Sequence, residues 1–246
     1  LKWSFKREYG CGIVAASEHL LTFRSASAGF INLDAFEGTA SLGGWKASCS
    51  TNLIAADGVL NSPDYTRTCQ CAYQNQTSLA LINMPWMAYW TNSNYTWNGT
   101  HIKQLGLNLN APGDRSDDDD LLWFEFPFVA GTPPGIPVKF YTTEFKKIRK
   151  EPISIASEKT PWVSASALCG VKSMEITLCN EENIAESSYT VNLYFAELED
   201  KNSGERIFDI AIQDKNVTDD FDIVAEAGKC DTEVVKSFKG IKAGKT

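Results

Sequence analysis

Cysteine is the residue type with the most chemistry to offer in this 246-residue chain. Seven cysteines stand at positions 11, 49, 69, 71, 169, 179 and 230, and four of them, Cys11, Cys49, Cys69 and Cys71, fall in the first third. None belongs to a CxxC pair or neighbours one of the two histidines, His19 and His101, so zinc has no donors at workable spacing. Either the four are disulfide partners in an exported protein, with three possible pairings, or they are buried free thiols. Asp117 to Asp120 supply hard oxygen ligands, yet adjacent carboxylates diverge and the D-x-[DN]-x-[DN]-G calcium pattern is absent. Their spacing predicts a solvated acidic turn. Nucleophilic hydrolysis lacks its Gly-x-Ser-x-Gly elbow, and His19 falls in a turn between strands. No pair of glycosidase carboxylates can be located by sequence in so acidic a chain.

A second concentration is aromatic. Trp86, Tyr89, Trp90, Tyr95 and Trp97 stand among Asn92, Asn94 and Asn98. Two readings are open. The rings form a platform on which the C–H face of a sugar stacks, with Trp86 and Trp90 as its candidates, or they pack this segment onto its neighbours. Asn75, Asn94, Asn98 and Asn216 begin Asn-x-Thr sequons, relevant only in a host that glycosylates.

A net charge of -8 opposes binding to nucleic acid or to an anionic membrane. The one basic cluster, Lys146, Lys147, Arg149 and Lys150, reads as a solvated strand or loop face. No apolar run reaches the roughly 18 residues that a spanning helix needs, so no membrane span is expected. Leu1 at the start, and strand-like sequence at both ends, lead us to expect a piece of a longer polypeptide.

The elements that must position these residues are strands. Ile13 to Leu20 overlays Leu53 to Leu60 with apolar matches at five of eight positions, an offset of 40 residues that is a propeller-blade period. The first unit reads GIVAA, turn, LLTFRS, turn, FINLD, turn, TASL. The second reads LIAA, the turn Asp57-Gly58, VLNS, an insertion around CQCAYQNQT, and SLALINM. Ala28 to Gly38, AGFINLDAFEG, resembles the G-x-[LI]-x-A-L-D-A-x-T-G signature of pyrroloquinoline-quinone-type propellers, and Leu1 to Phe5 is similar to their blade-closing strand. That resemblance implies the terminal blades of a propeller over residues 1–90, and, as the alternative function, part of a quinone-dependent oxidoreductase holding the quinone with calcium.

A connecting segment, 91–136, ends in the linker GTPPGIP. Beyond it, 137–246 shows short runs with proline and polar punctuation: VKFYTTEF, KEPISIAS, PWVSASA and GVKSMEITLC. In Tyr189 to Ala196, Val191, Leu193 and Phe195 alternate with polar positions; Phe208, Ile210 and Ile212 do the same after the loop LEDKNSGE. The two runs are expected to pair as a hairpin, followed by the polar turn KNVTDD and a third run, Phe221 to Val224. The motifs YTVxLxFAE, GERxFDI and DFDI resemble, in order and spacing, the malectin family of carbohydrate-binding sandwiches. Their implication is an antiparallel, jelly-roll-type sandwich with a glycan pocket in its loops. Where members of that family carry aromatics after Phe-Ala-Glu, this chain has Leu198, Glu199 and Asp200. The polar candidates nearest the loop, read as outward-facing, are Tyr194, Glu197 and Asp209.

The combination of blades and sandwich resembles large exported proteins of environmental bacteria such as planctomycetes. The expectation is an all-β chain acting as a non-catalytic carbohydrate-binding or protein-docking module, extracellular, on the cell surface or periplasmic, with no cofactor of its own. Enzymatic activity is left open by the residues.

Overall fold

The computed structural model describes residues 5–35, 37–43, 45–46, 53–63, 78–84, 87–129, 133–142, 144–181 and 185–246. They divide into two compact units. The first takes 1–95, 112–123 and 128–132, the second 96–111, 124–127 and 133–246, so the segment read as a connector is shared out between them.

In the first unit β1 (Ala15–Ala16), β2 (Leu20–Ser25), β3 (Ser27–Asn32) and β4 (Thr39–Ser41) form an antiparallel meander in chain order. Phe23, Ala28, Ile31 and Ala40 are buried on it. The turn between β2 and β3 is tighter than the ASAG expected: Ser25 pairs with Ser27 around Ala26 alone, at φ 59°. A separate antiparallel sheet joins β5 (Ile54–Ala56), β6 (Val59–Ser62) and β7 (Leu79–Ile82). Asp57 and Gly58 make its two-residue turn, both at positive φ (52° and 74°), the conformation whose twist matches that of the strands. Leu53 and Leu60 pack against Ala28, Leu42 and Trp45, so the two repeats share one apolar cluster. β8 (Thr91–Asn92) adds to β4 as a fifth strand of the first sheet. Among the described residues no closed ring of blades is formed.

β9 (Gly106–Leu109) belongs to the second unit and β10 (Arg115–Ser116) to the first. β11 (Leu122–Phe126) pairs through Leu122 and Trp123 with β10. The acidic run makes the turn between β10 and β11. Asp117 accepts the N–H groups of Asp119 and Leu121 on Oδ1 and the indole N–H of Trp123 on Oδ2, at 3.0, 3.0 and 2.8 Å. The remaining aspartates are exposed, as a solvated turn requires.

In the second unit β12 (Val138–Phe140) pairs with β15 (Met174–Ile176), and β13 (Lys146–Arg149) with β14 (Ser166–Cys169). Two runs expected as strands are helical at their prolines, and of PWVSASA only Ser166 and Ala167 enter a strand, β14. In KEPISIAS, Pro152–Ser154 form a 3-10 turn, and in PWVSASA, Pro161–Ser164 form the short helix α1 with proline in its first turn. A proline has no N–H for a ladder and suits a helix start.

The main ladders are β16 (Ser187–Phe195) with β19 (Val234–Ala243), and β17 (Ile207–Ile212) with β18 (Lys215–Asp222). The expected hairpin between the first two runs is therefore absent: β16 and β17 lie in different ladders. β17 takes its partner from the sequence immediately after it, through Gln213 and Asp214 at φ 52° and 58°. KNVTDD, expected as a turn, is most of β18. Ile223 and Val224, expected to close the third run, instead begin the helix α2 (Ile223–Ala227), capped by Asp222, whose Oδ1 accepts the Ala225 N–H at 3.0 Å. The ladders meet through rings. Phe195 of β16 lies 5.8 Å from Phe208 and 5.1 Å from Phe221, with Ile210, Ile223 and Val234 buried around them.

Candidate functional site

Five element ends gather at one edge of the second unit. Lys146 begins β13, opposite Cys169 at the end of β14. Phe195 ends β16 opposite Val234, the start of β19. The loop 196–206 leads into β17 at Ile207, and Cys230 and Asp231 lie in the segment that precedes β19.

The loop is fixed along its length. Leu198 is 4% exposed and packs with Ile155 and Ala165, against Ile148, Ala167 and Ala196. It therefore fills the core. Asn202 to Glu205 close a turn, with Gly204 at φ 90° and the Asn202 N–H donating to the Glu205 carboxylate at 2.7 Å. Asp222 Oδ2 accepts from the Ser203 hydroxyl and the Gly204 N–H, at 3.1 and 2.5 Å. One carboxylate thus ties the loop down and caps α2. Those backbone N–H groups, that of Ala225 first, hold the Asp222 carboxyl below its usual value. The Cys230 thiol lies 3.3 Å from the Glu199 carbonyl and 3.2 Å from that of Lys201, donating into the loop backbone.

Charge is arranged in a row. Glu197 is fully buried. Its Oε1 accepts from Arg206 Nη1 at 2.9 Å and from the Glu199 N–H at 3.0 Å. Oε2 stands 2.8 Å from the same guanidinium nitrogen without a hydrogen bond. Arg206 Nη2 donates to Glu199 Oε2 at 2.7 Å, and Lys146 Nζ to Glu199 Oε1 at 2.5 Å. The lysine bond first, then the arginine bond, hold the Glu199 carboxyl down to about 2. Cys169 lies 3.8 Å from Arg206 Nη1, and burial, only partly opposed by that cation, pushes its thiol up. The row can accept and donate hydrogen bonds; it has no paired nucleophile and base.

The residues singled out by sequence fall in different places. Glu197 was expected to face outward, and its burial corrects that: the Phe-Ala-Glu carboxylate is the interior partner of the Gly-Glu-Arg guanidinium. Tyr194 is half-buried on β16, opposite Val235. Asp209 is exposed on β17 and accepts the Asp220 N–H at 2.9 Å. Trp90 is half-buried in the first unit, and Trp97 is buried, its indole N–H bonded to the Thr100 carbonyl at 2.7 Å. Trp86, Cys49, Cys69 and Cys71 lie outside the described residues. Cys11, expected in a disulfide, is an exposed free thiol, and Cys169, Cys179 and Cys230 are free as well. Lys146 and Arg206 are not among the residues singled out by sequence, although Arg206 stands inside the motif GERxFDI; the signal available there is an acid and a basic residue nine positions apart at the two ends of one loop.

The first unit has its own partly buried polar group. Glu37 is 8% exposed, with Oε2 lacking a hydrogen bond. The Asn32 amide donates to the Tyr89 hydroxyl at 3.1 Å, and the Arg115 guanidinium lies 5.7 Å from the Tyr89 ring centre. Burial pushes the Glu37 carboxyl up and the Arg115 guanidinium down. A cleft of about 120 Å³ lined by Ala15, Thr22, Leu53 and Ile54 is small beside the ~300 Å³ or more of ordinary ligand pockets.

Residues 156–244 match the family described as the malectin domain, in agreement with the paired ladders and with the ion-paired motifs at their loop end. No curated protein and no solved structure matches the chain. Among the described residues no helix is long and apolar enough to cross a membrane.

Proposed function

We propose that this chain is a non-catalytic carbohydrate-binding module and that the loop end of its sandwich receives the glycan. The observation that carries this is the malectin-domain match over 156–244, together with a loop fixed in place before any ligand arrives. A loop already ordered spends little binding energy on ordering. In this reading the first unit is a scaffold of propeller-type blades, and the protein works outside the cell, at its surface or in a periplasm. Docking of another protein is the second reading, favoured by Ile207, the first residue of β17, and Val235, the second of β19, which are 53% and 43% exposed. Among the described residues no group of three or more His, Cys, Asp or Glu is arranged to hold a metal. A glycan array probed with the full chain tests the proposal: retention of gluco-oligosaccharides is expected, and an array without signal removes the carbohydrate reading and leaves docking.

A further inference from the structure

The loop end separates two carboxylates that sequence alone would treat alike. Glu197 has no exposed surface, and its partners are Arg206 and a backbone N–H. Glu199 is 29% exposed, with one oxygen on Lys146 and the other on Arg206. A carboxylate offers about four acceptor sites, so two bonds leave capacity on Glu199, and the Lys146 ammonium, 64% exposed, has donors beyond the one given to Glu199. Because Leu198 is turned into the core, Glu199 is the first side chain after Phe-Ala-Glu that meets solvent. Ile207, next in chain to Arg206, is 53% exposed.

We propose that Glu199 and Lys146 are the recognition pair of the loop end, taking adjacent hydroxyls of a pyranose as donor and acceptor, and that Arg206 is their positioning residue. This rests on the carbohydrate reading above. Adjacent hydroxyls each donate and accept, and the alternation of ammonium and carboxylate complements them. The row is held before binding, so no freely rotating side chain must be ordered. Arg206 reaches the buried Glu197 and the exposed Glu199 with two different nitrogens, a geometry that a single ammonium does not reproduce. Exposed ion pairs contribute little to folding, so the recognition pair can be altered with the fold kept.

The test is calorimetric titration of the full chain with maltose, cellobiose and isomaltose, for the parent, E199Q, K146A and R206K. E226Q, which breaks the exposed Glu226–Lys236 pair, serves as control. For whichever sugar the parent binds, E199Q and K146A should weaken affinity at least tenfold while still unfolding in one cooperative transition, and E226Q should bind as the parent does. R206K should also lose affinity; if it unfolds, E199Q and K146A decide alone. Parent-like affinity in folded E199Q overturns the assignment and leaves the carbohydrate reading standing. A parent that binds none of the three sugars overturns the assignment for these ligands, and an empty glycan array beside it removes the carbohydrate reading itself.

Discussion

Removing Arg206 should damage the fold more than any exposed ion pair can, because its partner Glu197 has no access to water. In R206A, Glu197 Oε1 keeps only the Glu199 N–H, and Oε2, already without a hydrogen bond, loses its nearby cation. Breaking a buried pair by deleting one partner costs about 3–5 kcal/mol. The Arg206 side chain is 26% exposed, so water enters where it is removed and the lower end applies, about 3 kcal/mol. Replacing both groups by apolar or neutral ones of similar size should cost far less, about 1 kcal/mol, since the desolvation of the pair offsets most of its attraction. The assay is guanidinium chloride denaturation of R206A, E197Q and E197Q/R206M, following the transition of the second unit. The result expected is a double variant more stable than R206A alone. R206A within about 0.5 kcal/mol of the parent, the range of an exposed pair, would refute the burial argument, as would a double variant whose loss is the sum of the two singles.

Other consequences follow from the same structure. Lys146 and Arg206 hold the Glu199 carboxyl at about 2, below the ordinary 4.5; that stabilisation is complete above 4.5 and lost as pH falls through about 2. An acid melting series should show the parent losing its advantage over E199Q inside that window. For Glu37 the sign is opposite: burial raises its carboxyl above 4.5, so the ionised group destabilises the fold as pH climbs past that value. E37Q should equal the parent in melting temperature near pH 4 and exceed it at pH 7. Phe221, 3% exposed between Phe195 and Phe208, should cost about 3–5 kcal/mol when cut to alanine, read by denaturation. D222A removes the cap of α2 and the anchor of Gly204 together, and amide exchange should speed up in both segments rather than in α2 alone.

Alternation made the sheet faces legible in the sequence. Val191, Leu193 and Phe195, and then Phe208 and Ile210, turn inward as their period of two predicts, and Asp57-Gly58 forms its turn between the predicted strands. Pairing was not legible, because period specifies a face and not a neighbour. The loop LEDKNSGE has turn formers and reads as a hairpin, yet the rings of Phe195, Phe208 and Phe221 place the two runs in facing ladders. The turn at Gln213-Asp214 contains no glycine, although aspartate tolerates a left-handed backbone. The short helices at Pro161 and Ile223 were hidden by β-branched residues next to strong strands. At the site the motif residues were identified but their orientation was not. Glu197 ends a strand where alternation stops, and only the contact with Arg206 shows that it points inward.

The most direct measurement is an amide ¹H–¹⁵N titration of the full chain with the gluco-oligosaccharide that it retains. The account predicts perturbations concentrated at 144–147, 196–207 and 228–235, the strand ends around Glu199. Perturbations confined to residues 5–95, or at the Gln213-Asp214 turn of β17 and β18, would contradict it.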